Sequence, residues 1–149
     1  MDTLKIAAWN SNGLQQRALE TKTFLYNNNI DILLVSETHF TPNSYMKIPY
    51  YTIYDTKHPS GTAHEGTAVI IRNDIKHHLH SQLSAVYVPP RHKITSQMWE
   101  EYFQHLGDKY IAAEDYNSKH MLWGSRITTL RGRILEKYIR NNNLNILST

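Results

Sequence analysis

At 149 residues, 40% hydrophobic and 19% charged, the chain has room for one domain with a core, and its balance is that of a globular and not a disordered protein. It contains no cysteine, which excludes disulfides, a Cys-based zinc site and a thiol nucleophile. A net charge of only +3 with nine histidines permits a phosphate-bearing partner without demanding one, and no apolar run approaches membrane-spanning length, so a soluble, intracellular chain without a membrane partner is expected.

Leu4 to Trp9 is a short apolar run ended by the turn signal Asn12-Gly13, and reads as a strand. From about Gln15 to Tyr26, Leu14, Ala18, Leu19 and Leu25 recur near helical spacing and predict an amphipathic helix. Ile30 to Val35, apolar apart from Asp31, has the composition of a strand buried on both faces, and it delivers Glu37 to a strand tip. Tyr45 to Tyr54 reads as an edge strand or two, and His58 to His64 as a loop. Gly66 to Arg72 and Leu83 to Val88 follow as strands, ended by Asn73-Asp74 and Pro89-Pro90. Between these two, Lys76-His77-His78-Leu79-His80 reads as a solvated basic turn in preference to a metal cluster, because no acidic or cysteine partner accompanies it. Thr95 or Ser96 can cap a helix with an apolar stripe of Met98, Trp99, Tyr102, Phe103 and Leu106, assigned to core, with Glu100 and Glu101 in its first turns. Lys109 to Ala113 is a strand, Leu130 to Arg140 a helix, and Leu144 to Leu147 the start of a last strand.

Two stretches repeat one construction. Leu4-Lys5-Ile6-Ala7-Ala8 runs into Trp9-Asn10-Ser11-Asn12, and Lys109-Tyr110-Ile111-Ala112-Ala113 runs into Glu114-Asp115-Tyr116-Asn117. Each places two polar residues at i and i+2, positions that share one face of a strand. Each is followed by a helical stretch, three asparagines and an apolar run; asparagine tolerates the left-handed conformation that closes a helix, so Asn27-Asn28-Asn29 and Asn141-Asn142-Asn143 read as C-caps and turns. The order strand, polar tip, helix, Asn turn, strand is thus met twice, which predicts two similar halves around one polar site.

Collected at strand ends are Asn10, Asn12, Glu37, Tyr87, Asp115 and Asn117, an oxygen-rich set without sulfur. Hard oxygen donors favour magnesium or manganese over zinc. Such a set suits phosphoryl chemistry, in which a divalent cation neutralises developing charge, a carboxylate activates water, and amides or a phenol hold phosphate oxygens. Taken singly, each residue also has a structural use as a cap or turn.

Trp9-Asn10-Ser11-Asn12-Gly13-Leu14, Leu33-Leu34-Val35-Ser36-Glu37-Thr38, Gly66-Thr67-Ala68-Val69-Ile70-Ile71-Arg72, Ser84-Ala85-Val86-Tyr87-Val88-Pro89-Pro90, and Asp115-Tyr116-Asn117-Ser118-Lys119-His120 with Trp123-Gly124-Ser125 resemble, in order, the motifs of the endonuclease/exonuclease/phosphatase superfamily. More narrowly they resemble the apurinic-type endonuclease domain of jockey-like non-LTR retrotransposons. The resemblance implies a four-layer α/β sandwich, two mixed sheets flanked by helices and built from pseudo-two-fold halves, spanning residues 1–149 in partial form. It implies Glu37 as metal ligand, Asn10 and Asn12 beside the metal and phosphate, Tyr87 on the scissile phosphate, Asp115 positioning or deprotonating water, and Asn117 holding the reacting phosphate. The implied cofactor is Mg2+ or Mn2+ with no small-molecule cofactor. The implied partner is target-site duplex DNA, nicked in the nucleus to prime reverse transcription. A silent nucleic-acid- or partner-binding remnant and a phosphatase on a small phosphoester are the alternative readings.

Several positions depart from the family pattern. Glu114 and Glu65 stand where glycines are usual, and a Cβ at such positions risks strain, while Glu114 adds charge beside Asp115. Strands expected between Asp74 and Leu83 are not evident, and the sequence stops before a closing Ser-Asp-His motif. An internally shortened, C-terminally truncated domain with impaired nicking is the resulting expectation.

Overall fold

The computed structural model describes residues 3–75 and 82–146, and of Glu114 and Asp115 the backbone alone. Two compact units divide the chain, one of Met1–Tyr87 with Tyr110–Asp115, the other of Val88–Lys109 with Tyr116–Thr149.

The first unit is organised on strand β2, Ile32–Ser36, every residue of which is buried. β1, Ile6–Asn10, lies parallel beside it with Ile6 opposite Ile32 and Asn10 opposite Ser36. On its other side β4, Thr67–Arg72, runs antiparallel, and β3, Tyr51–Thr56, pairs outside β4, giving the order β1-β2-β4-β3. Alternation along β2 sends its side chains to two cores. Leu33 and Val35 join Leu14, Leu25, Phe40, Ile48, Tyr51, Ala68 and Ile70 on one face. Ile32 and Leu34 join Ile71 on the other, packed against Leu83, Ala85 and Ala113 of a second, two-stranded parallel sheet formed by β5, Gln82–Tyr87, and β6, Tyr110–Asp115. Each fully buried Leu or Ile here contributes about 1.5–3 kcal/mol, so β2 is the strand whose apolar run the unit can least lose.

The one polar residue of the predicted buried strand, Asp31, is 5% exposed and lies just ahead of β2. Its carboxylate accepts the Lys5 backbone N–H at 2.7 Å and pairs with the Arg72 guanidinium at 2.7 Å, which is how a charge is held against an apolar run. Helix α1, Ala18–Asn28, follows a short 3-10 turn, Gln15–Arg17. Its inward residues are Thr21 and Leu25, in phase with Leu14, while Leu19 is 79% exposed, so the expected apolar stripe omits Leu19. Asn29 closes the helix in the left-handed conformation, φ 50, ψ 51, as its triplet predicted. The expected strand over residues 45–54 begins only at Tyr51, because Pro49 lacks an N–H donor and Tyr50 sits at φ 65.

In the second unit α2, Ser96–His105, is capped by Thr95, whose Oγ1 accepts the Met98 N–H. Trp99, Phe103 and Leu106 are buried as the stripe predicted, whereas Met98 is exposed, and Glu100 and Glu101 fall in the second turn and not the first. α3, Leu130–Asn141, is capped in the same way by Thr129 and stacks Tyr138 on Phe103, ring centroids 5.1 Å apart. The left-handed residue after α3 is Asn143, φ 51. Residues 144–146 form no strand, so the last predicted strand is not found among the described residues; the His77, His78 and His80 segment lies outside them. The chain order of strand, polar tip, 3-10 turn, helix and left-handed Asn does recur, with Met121–Trp123 supplying the second 3-10 turn.

Candidate functional site

Parallel strands β1 and β2 end side by side, and their loops leave together. Ser11, 1% exposed, donates its N–H to Ser36 O at 3.0 Å, and its hydroxyl lies 3.1 Å from Ser36 O and 3.0 Å from Glu37 O. Gly13 N–H donates to Glu37 O at 2.8 Å and Leu14 N–H to Thr38 O at 3.0 Å. Asn10, Asn12 and Glu37 are therefore gathered at one strand end by backbone hydrogen bonds and a buried hydroxyl. Asn10 and Asn12 are exposed, and Asn10 Oδ1 accepts the Asn12 N–H at 3.2 Å. Asn12 does not continue the strand; it is left-handed, φ 43, so the shared-face reasoning from i and i+2 gives way to a turn.

Strain is concentrated here. Glu37 and His39 have φ 49 and 54, and Glu65, whose carbonyl accepts the His39 N–H at 2.9 Å, has φ 53. A left-handed non-glycine residue costs about 1–2 kcal/mol, and such residues persist where surrounding bonds over-determine them. The anticipated strain at Glu65 is thus present. Next to it Gly66 is obligatory: a Cβ there would meet Thr38 Oγ1 at 2.7 Å and Thr56 O at 3.0 Å. The Glu37 carboxylate lies 3.8 Å from His39 Nε2 and keeps 20% side-chain exposure, so one oxygen-bearing anion is presented at the strand end, half-screened by an imidazole.

The second parallel pair places Tyr87 opposite Asp115 as its last register partners, with Val86 opposite Glu114. Tyr87 is half-buried. Glu114 sits within β6, a strand position that any residue adopts. The residues that follow belong to the second unit and are stitched in their turn. Asn117, left-handed at φ 48 like Asn12, donates its Nδ2 to Val88 O at 3.0 Å. Arg131, 9% exposed, donates to Tyr116 O at 3.2 Å, to Pro89 O and Pro90 O at 3.0 Å each, and to His92 O. Ser118 is buried against Tyr116 O, and its own carbonyl accepts the Trp123 Nε1–H at 2.8 Å.

Sequence reasoning missed three residues of this construction. Arg131 carries no signal of its own within the predicted helix Leu130 to Arg140; the signal was Gly132 beside it, since glycine in the first turn of a helix marks close backbone approach. His39 has no sequence signal, and Glu65 has one for backbone strain alone, because their nearness to Glu37 depends on loop pairing between β2 and β4. A groove of about 830 Å3 along α1, lined by Gln16, Leu19, Glu20 and Phe24 among others, contains none of the candidate residues.

Comparison with known proteins bears on this arrangement. The endonuclease–reverse transcriptase family matches residues 81–149. The RNA-directed DNA polymerase of the mobile element jockey from Drosophila funebris is 34% identical over 99% of this chain and 18% of its own length. The probable RNA-directed DNA polymerase of transposon BS from Drosophila melanogaster is 29% identical over 100% of the chain and 19% of its own. The chain thus spans about a fifth of the relatives it matches. Among solved structures, the endonuclease domain of TRAS1, a telomere-specific non-LTR retrotransposon, superimposes with a TM-score of 0.71 at 17% identity, covering 99% of this chain and 74% of that one. An AP endonuclease from Archaeoglobus fulgidus gives a TM-score of 0.60 at 18% identity over 93% of this chain and 71% of its own. These likenesses establish a mixed α/β fold with two sheets and flanking helices.

Proposed function

The chain belongs to the endonuclease/exonuclease/phosphatase superfamily, in its retrotransposon endonuclease branch, and from that premise we propose a metal-dependent DNA endonuclease module that nicks duplex DNA in the nucleus, leaving a 3′ hydroxyl for reverse transcription. One observation carries the reading. In the first unit both parallel strand pairs end in polar residues, Asn10, Asn12 and Glu37 after β1 and β2, Tyr87 and Asp115 in register on β5 and β6.

The donor set fits a hard divalent cation, because a partly exposed carboxylate and two exposed amides offer oxygen. Glu37 and Asn12 would hold Mg2+ or Mn2+, and the bound cation supplies charge neutralisation at the scissile phosphate. Asp115 accepts the proton of the attacking water or orients it, and Tyr87 donates its phenolic O–H to a phosphate oxygen. Asn10 steadies the approach of that phosphate.

This copy works below its relatives. Glu114 brings a second negative charge one residue from Asp115, and strained Glu65 adjoins the Glu37 segment. An aligned length of 168 against a chain of 149 also points to an internal stretch present only in the relatives. Relaxation of supercoiled plasmid is the test. Magnesium-dependent nicking is expected, reduced about a hundredfold or more by Asp115→Ala and raised by Glu114→Gly. DNA bound but never nicked, at any Mg2+ or Mn2+ concentration, makes the chain a silent binding module instead, and nicking untouched by Asp115→Ala refutes the residue assignment.

A further inference from the structure

The loop joining β3 to β4 brings His58, His64 and Glu65 together so that one ligand atom from each lies within 4.8 Å of the others. His58 Nε2 stands 3.5 Å from Glu65 Oε2, close to the roughly 3.4 Å that separates two donors on a tetrahedral metal with bonds near 2.1 Å. The two imidazole rings are 3.9 Å apart between centroids.

What distinguishes this cluster from a chance His–Glu contact is the other nitrogen of each ring. His58 Nδ1 is 2.8 Å from Ser60 Oγ, Ser60 Oγ is 2.7 Å from Thr62 Oγ1, and Thr62 Oγ1 is 2.6 Å from His64 Nδ1. The Ser60 backbone N–H also points at His58 Nδ1, at 3.2 Å, so without metal His58 Nδ1 can accept; in the metal-bound arrangement both Nδ1–H groups donate inward to the hydroxyls, Ser60 Oγ–H donates to Thr62 Oγ1, and both Nε2 lone pairs face the cation. Hydroxyl or carbonyl acceptors behind the ligating imidazole are what fixes its tautomer at metal centres.

We propose that His58, His64 and Glu65 form a site for a borderline transition-metal ion of the Zn2+ class, with a fourth position open to water, separate in chemistry from the oxygen-only set at Glu37. Two imidazoles with one carboxylate suit zinc and not magnesium. Because Glu65 also accepts the His39 N–H, occupancy would fix the backbone beside the Glu37 segment.

Equilibrium dialysis of the whole chain against Zn2+ tests this. One ion per chain is expected, retained in Glu37→Gln and in a variant with His77, His78 and His80 all changed to Ala, lost in His58→Ala and His64→Ala, and weakened about tenfold or more in Ser60→Ala through the hydroxyl row. Imidazole nitrogen NMR of the unmodified chain needs no variant: Nε2 of His58 and His64 should shift on zinc addition, with each Nδ1 protonated in the zinc-bound form. Zinc binding that survives both histidine changes, that disappears only with the 77–80 histidines, or that is absent from the unmodified chain overturns the proposal.

Discussion

Replacing Gly132 by alanine sets two effects of opposite sign against each other. A glycine within a helix is less favourable than alanine by about 0.5–1 kcal/mol, so propensity alone predicts stabilisation. An ideal Cβ on Gly132, however, would lie 2.0 Å from the Lys119 carbonyl oxygen and 2.7 Å from its carbonyl carbon. Ordinary carbon–oxygen approach stops near 3.3 Å, so helix and loop must part by more than about 1 Å. The oxygen is not free to yield, since it accepts the Thr129 N–H at 2.9 Å and the Thr129 hydroxyl at 3.3 Å. That same hydroxyl caps α3 by accepting the Gly132 N–H at 3.1 Å. Overpacking of this kind costs about 1–3 kcal/mol and loss of the cap about 1 kcal/mol, which after the propensity gain leaves a net loss of about 2 kcal/mol. Urea unfolding followed by far-UV circular dichroism, with hydrogen exchange of α3 amides, measures it. A midpoint that stays put or rises shows that the close approach of α3 to Lys119 does not exist.

Glu65→Gly should stabilise the first unit by about 1 kcal/mol by relieving the left-handed backbone, while removing the His58 pairing; a thermal melt reads the gain. Asp31→Ala should destabilise by about 2–3 kcal/mol, because it strips charged acceptors from the Lys5 N–H and Arg72; denaturant midpoints within error of the parent would contradict this. The hydrogen bond from Arg72 holds the Asp74 carboxyl below its ordinary value, so its contribution is complete above the ordinary carboxylate pKa, near pH 4, and lost as pH falls through the lower folded value. Melting temperatures on acidification should therefore fall less steeply in Asp74→Asn than in the parent. Burial raises the Tyr51 hydroxyl, which donates to Ile30 O at 2.7 Å, so its contribution is present below about pH 10 and lost as pH rises past the folded value. Tyr51→Phe should blunt that alkaline loss.

The strands were legible because β2, β4, β5 and β6 are short apolar runs bounded by Asn, Asp or Pro, and in β2, buried at every residue, such a run leaves little ambiguity. Helix ends were legible where chemistry is local, as at Thr95 and Asn29. What escaped the sequence was set by partners distant along the chain. Leu19 has the right spacing to be core, yet Leu14, Thr21 and Leu25 define the inward face because β2 and its neighbours lie on that side. Asn12 and Asn117 were recognised as site candidates but placed on strand faces, whereas both turn the chain in the left-handed region. Arg131 was invisible as a site-building residue, since its acceptors are backbone carbonyls that carry no side-chain signature.

The division of the chain into units has a consequence for synthesis. The first unit needs β6, and β6 is translated only after the whole of α2, which belongs to the second. During elongation β5 therefore waits as an unpaired edge for the interval in which residues 88–109 emerge, at some 5–20 residues per second about one to five seconds. An exposed edge of that duration is a target for holdase chaperones or self-association. A stop codon placed just before residue 110 should for the same reason yield an aggregating product, even though nearly all of the first unit would have been made.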